Sequence, residues 1–334
     1  VGFNTGMWLS WREATQAALY GETGFFLRNS PAQHFRTSVH ASPLFAGAVS
    51  RLLHEVDLAL GEPDPLDVVD LGAGRAELLC GLAALAPGGL ADRLRLTAVE
   101  LAHRPEGLPA EIGWRRDVPQ GITGLVIANE WLDNVPVDLV ELTGQGPRLV
   151  LVDPVSGEQR LGGPPSAADL DWLARWWPLT GVGDRAEVGA PRDAAWAEVV
   201  RNMSRGVAVA VDYAHLRGAR PAGGTLTGYR DGRQVRPVPD GATDITAHVA
   251  LDACAAAAPG RSFLTTQRVA LGALGVVSEP PSAQLAATDP AAYLRELASA
   301  GEAAELLDEY GLGGFGWLTQ FVATFPKLPY RMTQ

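Results

Sequence analysis

The stretch Val68–Leu79 puts the tightest constraint on what this chain can fold into. Val68-Val69-Asp70-Leu71 reads as a buried strand, Gly72-Ala73-Gly74 as a turn, and Ala76–Leu85 as a helix. A second apolar strand, Leu94–Glu100, follows and ends in an acid. A nucleoside ligand needs these parts together. Glycines let the backbone come close, a helix N-terminus offers unbonded N–H groups, and an acid accepts hydrogen bonds from ribose hydroxyls.

The pattern also discriminates between cofactors. A dinucleotide fingerprint is G-x-G-x-x-G, and here Gly72-Ala73-Gly74 is followed by Arg75-Ala76-Glu77, without a third glycine. Asp70 stands two residues before the first glycine. D/E-x-G-x-G after an apolar strand is the pattern of S-adenosylmethionine sites. The competing reading is an ordinary strand–turn–helix joint whose glycines only relieve crowding.

Two further apolar strands, Gly124–Asn129 and Gly206–Tyr213, continue the alternation of strand and helix. Continuous β-branched runs suit a parallel sheet buried on both faces, so the expectation is a doubly wound α/β sheet. Residues 1–62 read as a helical extension: an amphipathic helix over 8–20 with Ser10 as N-cap, and a second opened by Ser42-Pro43 and running to Leu60. Residues 138–200 break the alternation. A hairpin of Val140–Leu142 and Leu149–Val152, then a helix carrying Trp172, Trp176 and Trp177, read as an inserted lid or substrate subdomain. Its tryptophans suit a core or an aromatic substrate cage. Residues 63–137 and 201–334 form the sheet domain, with helices within 284–310 and a last strand at Gly316–Phe325.

The net charge of −11 over 334 residues speaks against nucleic acid and against an anionic membrane surface. A basic partner suits it better. Cys80 and Cys254 lie in alanine- and leucine-rich contexts and read as small core residues; no Cys/His spacing suggests a metal. No apolar run has the length of a membrane span and the first residues carry no leader signature, so a cytoplasmic location is expected. A monomer and a homodimer both stay open.

Four segments should meet at the C-terminal edge of the strands, where open α/β sheets bind ligands. They are Asp70–Gly74, Glu100, Asn129–Pro136 and Asp212–His215. Acids gathered at strand ends are poorly explained by packing, because burying them unpartnered is costly. The cofactor-binding candidates are Asp70, Gly72, Ala73, Gly74, Glu100, Leu101, Asp117 and Asn129. Methyl transfer asks for alignment, exclusion of water and removal of a proton from the acceptor. Glu130, Asp133, His40 and His215 are the catalytic candidates, and His248 is a further possible base.

At these segments the chain resembles the MidA-like family of S-adenosylmethionine-dependent methyltransferases, which includes the mitochondrial complex I assembly factor. Ala17–Tyr20 through Gly24-Phe25-Phe26 is similar to the family's "ALY…GYY", and Phe35–Ser38 through Ser42–Phe45 to "DFxTSPEISxLFG". Asn129-Glu130-Trp131-Leu132-Asp133-Asn134-Val135-Pro136 resembles "NEFFDALP", the most specific motif. Asp212-Tyr213-Ala214-His215, Thr225–Arg230 and Asp244–Val249 resemble "DYG", "TLRAYR" and "DLTAHVDF". The resemblance implies a class I methyltransferase (Rossmann-like) fold with an N-terminal extension and an inserted subdomain. It implies S-adenosylmethionine held by Gly72, Gly74, Glu100 and Asn129, with Glu130 and Asp133 facing the acceptor. It also implies a protein or peptide acceptor, arginine in the mitochondrial member.

The chain departs from the pattern at four places: His34 and Val39-His40 replace acid-bearing segments, Ala250 replaces an acid, and Ala76 stands for the third cofactor glycine. The Ala76 methyl is expected to pack at little cost. Lost acids weaken the case for a guanidinium, which leaves a small-molecule acceptor open and makes His34 or His40 a candidate base, or simple loop variation. Two competing functions are a catalytically weak cofactor-binding assembly or scaffold protein, and a nicotinamide-dependent oxidoreductase. The missing glycine and Asp70 speak against the latter.

Overall fold

The computed structural model describes residues 7–21, 24–28 and 37–323. The readings at His34, Phe35 and Arg36, and the end of the last strand beyond residue 323, lie outside the described residues.

The central sheet has seven strands: β1 (Leu66–Leu71), β2 (Leu94–Val99), β3 (Gly113–Arg115), β4 (Ile122–Asn129), β5 (Met203–Asp212), β6 (Arg261–Thr266) and β7 (Gly316–Val322). Their order is β6-β7-β5-β4-β1-β2-β3. β3, β2, β1, β4 and β5 run parallel, and β7 lies antiparallel to both β5 and β6. The two edge strands β3 and β6 are short or polar and escape the sequence reading. β3 has exposed Gly113 and Arg115, and β6 is only half-buried.

Burial on both faces follows from the period of two in a strand. In β4, Leu125 and Ile127 enter one core cluster and Val126 and Ala128 the other. In β5, Val207, Val209 and Val211 face the first cluster, and Ala208 and Ala210 the second. The first face is covered by helix Pro43–Leu60, which brings Phe45, Val49, Leu52 and Val56, and by Leu78, Leu79 and Leu82 of helix Glu77–Leu85. The second is covered by Trp196, Val199 and Val200 of helix Ala190–Arg201 and by Cys254 of helix Leu251–Ala257.

Helix Trp11–Tyr20 begins at a reciprocal capping box. The Ser10 hydroxyl accepts from the Glu13 N–H, and the Glu13 carboxylate accepts from the Ser10 N–H. Its buried Trp11, Ala14 and Ala18 pack on Leu139, Val150 and Val152. These belong to a separate antiparallel sheet built from Leu9–Ser10, Asp138–Thr143, Gly146–Val152, Gln159–Leu161 and Arg185–Val188. Trp172 and Trp177 are buried against Val140, Ala186 and Val188 of that sheet, with Trp176 partly buried beside them. No described helix is long and apolar enough to cross a membrane.

Candidate active site

The strand order reverses at β1, which has β2 on one side and β4 on the other. The crevice outside the carboxyl ends of these strands is where such sheets take ligands. A cavity of about 570 Å³ opens there, lined by residues that follow β1 (Gly72, Gly74), β2 (Glu100, Leu101), β3 (Asp117, Val118) and β4 (Glu130, Trp131). Tyr20 and Phe26 reach it from the N-terminal segment, Glu198 from helix Ala190–Arg201, and Asn202 from the C-cap of that helix. The Tyr20 hydroxyl donates to the Asn134 carbonyl at 2.9 Å, which ties the first helix to the loop after β4. A smaller cavity of about 70 Å³ adjoins it, sharing Phe26, Gly72, Gly74, Glu130 and Asn134 and adding Asp70, Ala73, Asn129, His40 and Glu77. All eight cofactor-binding candidates therefore line one cavity or both.

The turn after β1 is held from β2. The Gly72 N–H donates to the Val99 carbonyl at 2.9 Å, and the Gly74 N–H to Glu100 Oε2 at 3.0 Å. Glu100 Oε1 also accepts from the N–H groups of Leu101 (2.7 Å) and Ala102 (3.0 Å). Gly72 has φ +65°, and a Cβ there would meet the Trp131 ring at 3.0 Å. That position takes glycine for its backbone and for its space. Ala76 has φ +64°, a left-handed conformation that costs an L-residue about 1 kcal/mol. The expectation concerned the methyl, which is fully buried; the penalty the sequence did not announce lies in the backbone.

Glu130 is the second strained residue, with φ +51° directly after β4. Its N–H donates to the Val211 carbonyl, and its Oε1 accepts from the Ser38 N–H (3.2 Å) and from Asn129 Nδ2 (3.1 Å). Among the described residues no hydrogen bond falls on its Oε2. Burial, then the charge of Asp133, pushes its carboxyl up to about 8. Burial, then Glu77 and Glu100, pushes Asp70 up to about 8. The side-chain oxygens of Asn129 and Asn134 are buried without a hydrogen-bond partner in the described residues. Such groups are costly to leave unmade and mark where a donor-bearing ligand belongs.

His40 lies in the smaller cavity between Thr37, whose hydroxyl is 2.7 Å from Nδ1, and Glu77, whose Oε1 is 3.3 Å from Nε2. Burial works against the Glu77 charge, but the hydrogen bonds from His40 and from backbone N–H groups hold its carboxyl below the usual range.

Asp133 and His215 stand elsewhere. Asp133 is buried behind the cavity; its carboxylate accepts from Thr246 Oγ1 (2.9 Å) and Asn134 Nδ2 (2.8 Å). Arg192, also buried, donates to the carbonyls of Asp133, Val135, Ala247 and His248 at 2.6–3.0 Å, with Asp133 and Asp212 as compensating charges. Asp212 Oδ2 accepts from the N–H groups of Leu132 and Asp133. His215 packs edge-on against Trp177, bonds Arg220 through Nδ1, and is pushed down to about 3 by burial and then by Arg220. It lines neither cavity, so the structure does not bring it together with Glu130 and His40. Tyr20, Phe26, Trp131, Asn134 and Glu77 are among the cavity residues that sequence reasoning gave no role. Four of them lie in the motifs carrying the resemblance, the only signal that marked them.

This sheet, with a glycine turn after β1 and an acid after β2, defines a class I methyltransferase fold. Residues 48–269 match the model of a family described as "Putative S-adenosyl-L-methionine-dependent methyltransferase", and the chain belongs to that family. The MidA-like resemblance is thereby borne out. A crystal structure of a COG1565 superfamily protein from Burkholderia thailandensis bound to S-adenosyl-homocysteine is similar at 25% identity with a TM-score of 0.78, covering 96% of this chain and 89% of that one. A native crystal structure of a COG1565 superfamily protein from the same organism gives 25% identity and a TM-score of 0.78 over 97% and 89%. No curated protein sequence matches the chain. S-adenosylmethionine is the cofactor of the family, and the residues present fit it: a glycine cradle, an acid after β2 and two buried amide oxygens without a hydrogen-bond partner among the described residues.

Proposed function

We propose that the chain transfers a methyl group from S-adenosylmethionine to a nitrogen on a protein or peptide side chain. The observation that carries this reading is Glu130: a strained, buried carboxyl shared by both cavities, its Oε2 unengaged among the described residues. In this reading Glu100, Leu101 and Asp117 hold the adenosine half of the cofactor in the larger cavity. Gly72, Ala73 and Gly74 line its passage. Asp70 and the amide oxygens of Asn129 and Asn134 take the α-ammonium in the smaller one. When bound, the cofactor supplies a methyl already activated on a sulfonium, so that the acceptor lone pair forms the new bond while the carbon–sulfur pair returns to sulfur.

Glu130 Oε2 accepts the proton that the acceptor nitrogen loses. Its carboxyl is held high, and a cationic acceptor beside it favours the carboxylate form. Tyr20 and Phe26 cover the site and exclude water. Asp133 holds the loop after β4 through Thr246 and Asn134 rather than touching the acceptor.

Labelled methyl groups from S-adenosylmethionine, offered to a lysate with the purified chain, should appear in a polypeptide. Glu130→Gln should lower that incorporation roughly 100-fold or more while leaving S-adenosylhomocysteine affinity within about twofold. Labelling confined to a small metabolite overturns the acceptor class, and equal incorporation by the variant removes Glu130 from the chemistry.

A further inference from the structure

A third cavity, of about 520 Å³, lies at the same edge of the sheet, between the residues that follow β5 and those that lead into β7. Tyr213, His248, Tyr310, Leu312 and Phe315 line it, with Glu309 at the rim. None of these residues lines the cofactor cavities. Their arrangement is a platform of rings: Tyr213 stacks on His248 (centroids 5.6 Å apart, planes 27°) and meets Phe315 at 4.1 Å. Tyr310 is 93% exposed beside it, a large aromatic surface that the fold itself does not bury.

Of the residues lining this cavity, Tyr213 stands next in the chain to the catalytic edge. It follows Asp212 at the end of β5, and the Val211 carbonyl holds the Glu130 N–H. Glu130, Asp133 and Asp212 are its electrostatic neighbours. A second connection runs from Phe315, whose carbonyl accepts from the Gln267 N–H, through the hydrogen bond of Gln267 with the Ser38 hydroxyl, to the Ser38 N–H on Glu130.

From this we infer that the Tyr213–Phe315 cavity is the docking groove for the acceptor polypeptide, which lays a cationic side chain over the aromatic platform and past Tyr213 toward Glu130. The inference rests on the methyltransferase reading above. Aromatic faces attract cations, and the Glu309 carboxylate lines the cavity beside the rings. Glu309 is paired only loosely, with Arg268 at 3.5 Å and both side chains more than half exposed, so an incoming cation can replace that partner. The net charge of −11 favours a basic partner over an acidic one. The groove is open rather than enclosed, which suits a chain segment better than a small molecule that must be mostly surrounded.

The test uses the whole chain, a fluorescein-labelled glycine–arginine peptide and its glycine–glutamate counterpart, with fluorescence anisotropy in the presence of S-adenosylhomocysteine. The basic peptide should bind and the acidic one should not. Tyr310→Ala combined with His248→Ala should weaken the basic peptide roughly tenfold, while calorimetry shows S-adenosylhomocysteine affinity unchanged. Retained cofactor binding with no peptide binding, or with peptide binding indifferent to the two substitutions, overturns the groove alone. Absent cofactor binding in the wild type instead removes the methyltransferase reading on which it rests.

Discussion

Asp70 and Glu100 stand near the ends of β1 and β2; Asp133 follows β4 and Asp212 ends β5 at the same edge of the same sheet. The first pair lines open cavities, and among the described residues Glu100 engages only backbone N–H groups beside the space it faces. The second pair is sealed off from both cavities: both hold the loop after β4, and buried Arg192 supplies their compensating charge. An acid at a strand end therefore says little until its neighbours are known. Where a glycine turn keeps the space empty, the acid faces a cavity. Where a cation from another helix fills the space, the acid becomes part of the scaffold.

The largest effect should come from breaking the sealed side. Arg192→Ala removes the cation that faces Asp133 and Asp212 and frees four carbonyls. It should cost about 3–5 kcal/mol of unfolding free energy, read by urea denaturation. A loss under about 1 kcal/mol shows that the acids do not depend on it.

Next comes pH. Asp70 and Glu130 each have a folded value of about 8, above ordinary values of 3.8 and 4.5. Their contribution to stability is complete below about pH 4 and is lost as pH rises through 8. The slope is at most about 1.4 kcal/mol per pH unit for each group. Glu130→Gln should flatten the fall in urea midpoint between pH 5 and pH 9, and an unchanged slope shows that burial does not hold the carboxyl protonated.

The smallest effect belongs to the turn itself. Ala76→Gly relieves the left-handed φ of +64° and should raise the unfolding free energy by about 0.5–1 kcal/mol. A destabilised variant would mean that the buried methyl outweighs the backbone strain.

The open side was legible in the sequence because its signals are local. Asp70–Gly74, Glu100 and Asn129-Glu130 each carry their meaning within a few residues, and the interior strands show as apolar runs. The sealed side was not, because it is assembled from afar. Arg192 is one arginine on a helix, and its partners come from Asp133, Val135, Ala247 and His248, more than 50 residues away in each direction. Spacing alone put Glu130 and Asp133 on one pocket. The left-handed backbone at Glu130 instead turns it to the cavities, while Asp133 is held behind by Thr246. His215 lies outside both cavities, packed on Trp177 from the inserted region and bonded to Arg220 five residues along, and the sequence around it does not announce the first of these contacts.

The most direct measurement is a calorimetric titration of S-adenosylhomocysteine into the wild type, Glu100→Ala and His215→Ala. The wild type should bind with one site per chain. Glu100→Ala should bind roughly 10- to 100-fold more weakly, through loss of charge-assisted hydrogen bonds, and His215→Ala should stay within about twofold of the wild type. A wild type that does not bind, or a Glu100→Ala variant that binds as tightly as the wild type, contradicts the assignment of the open acids to the cofactor.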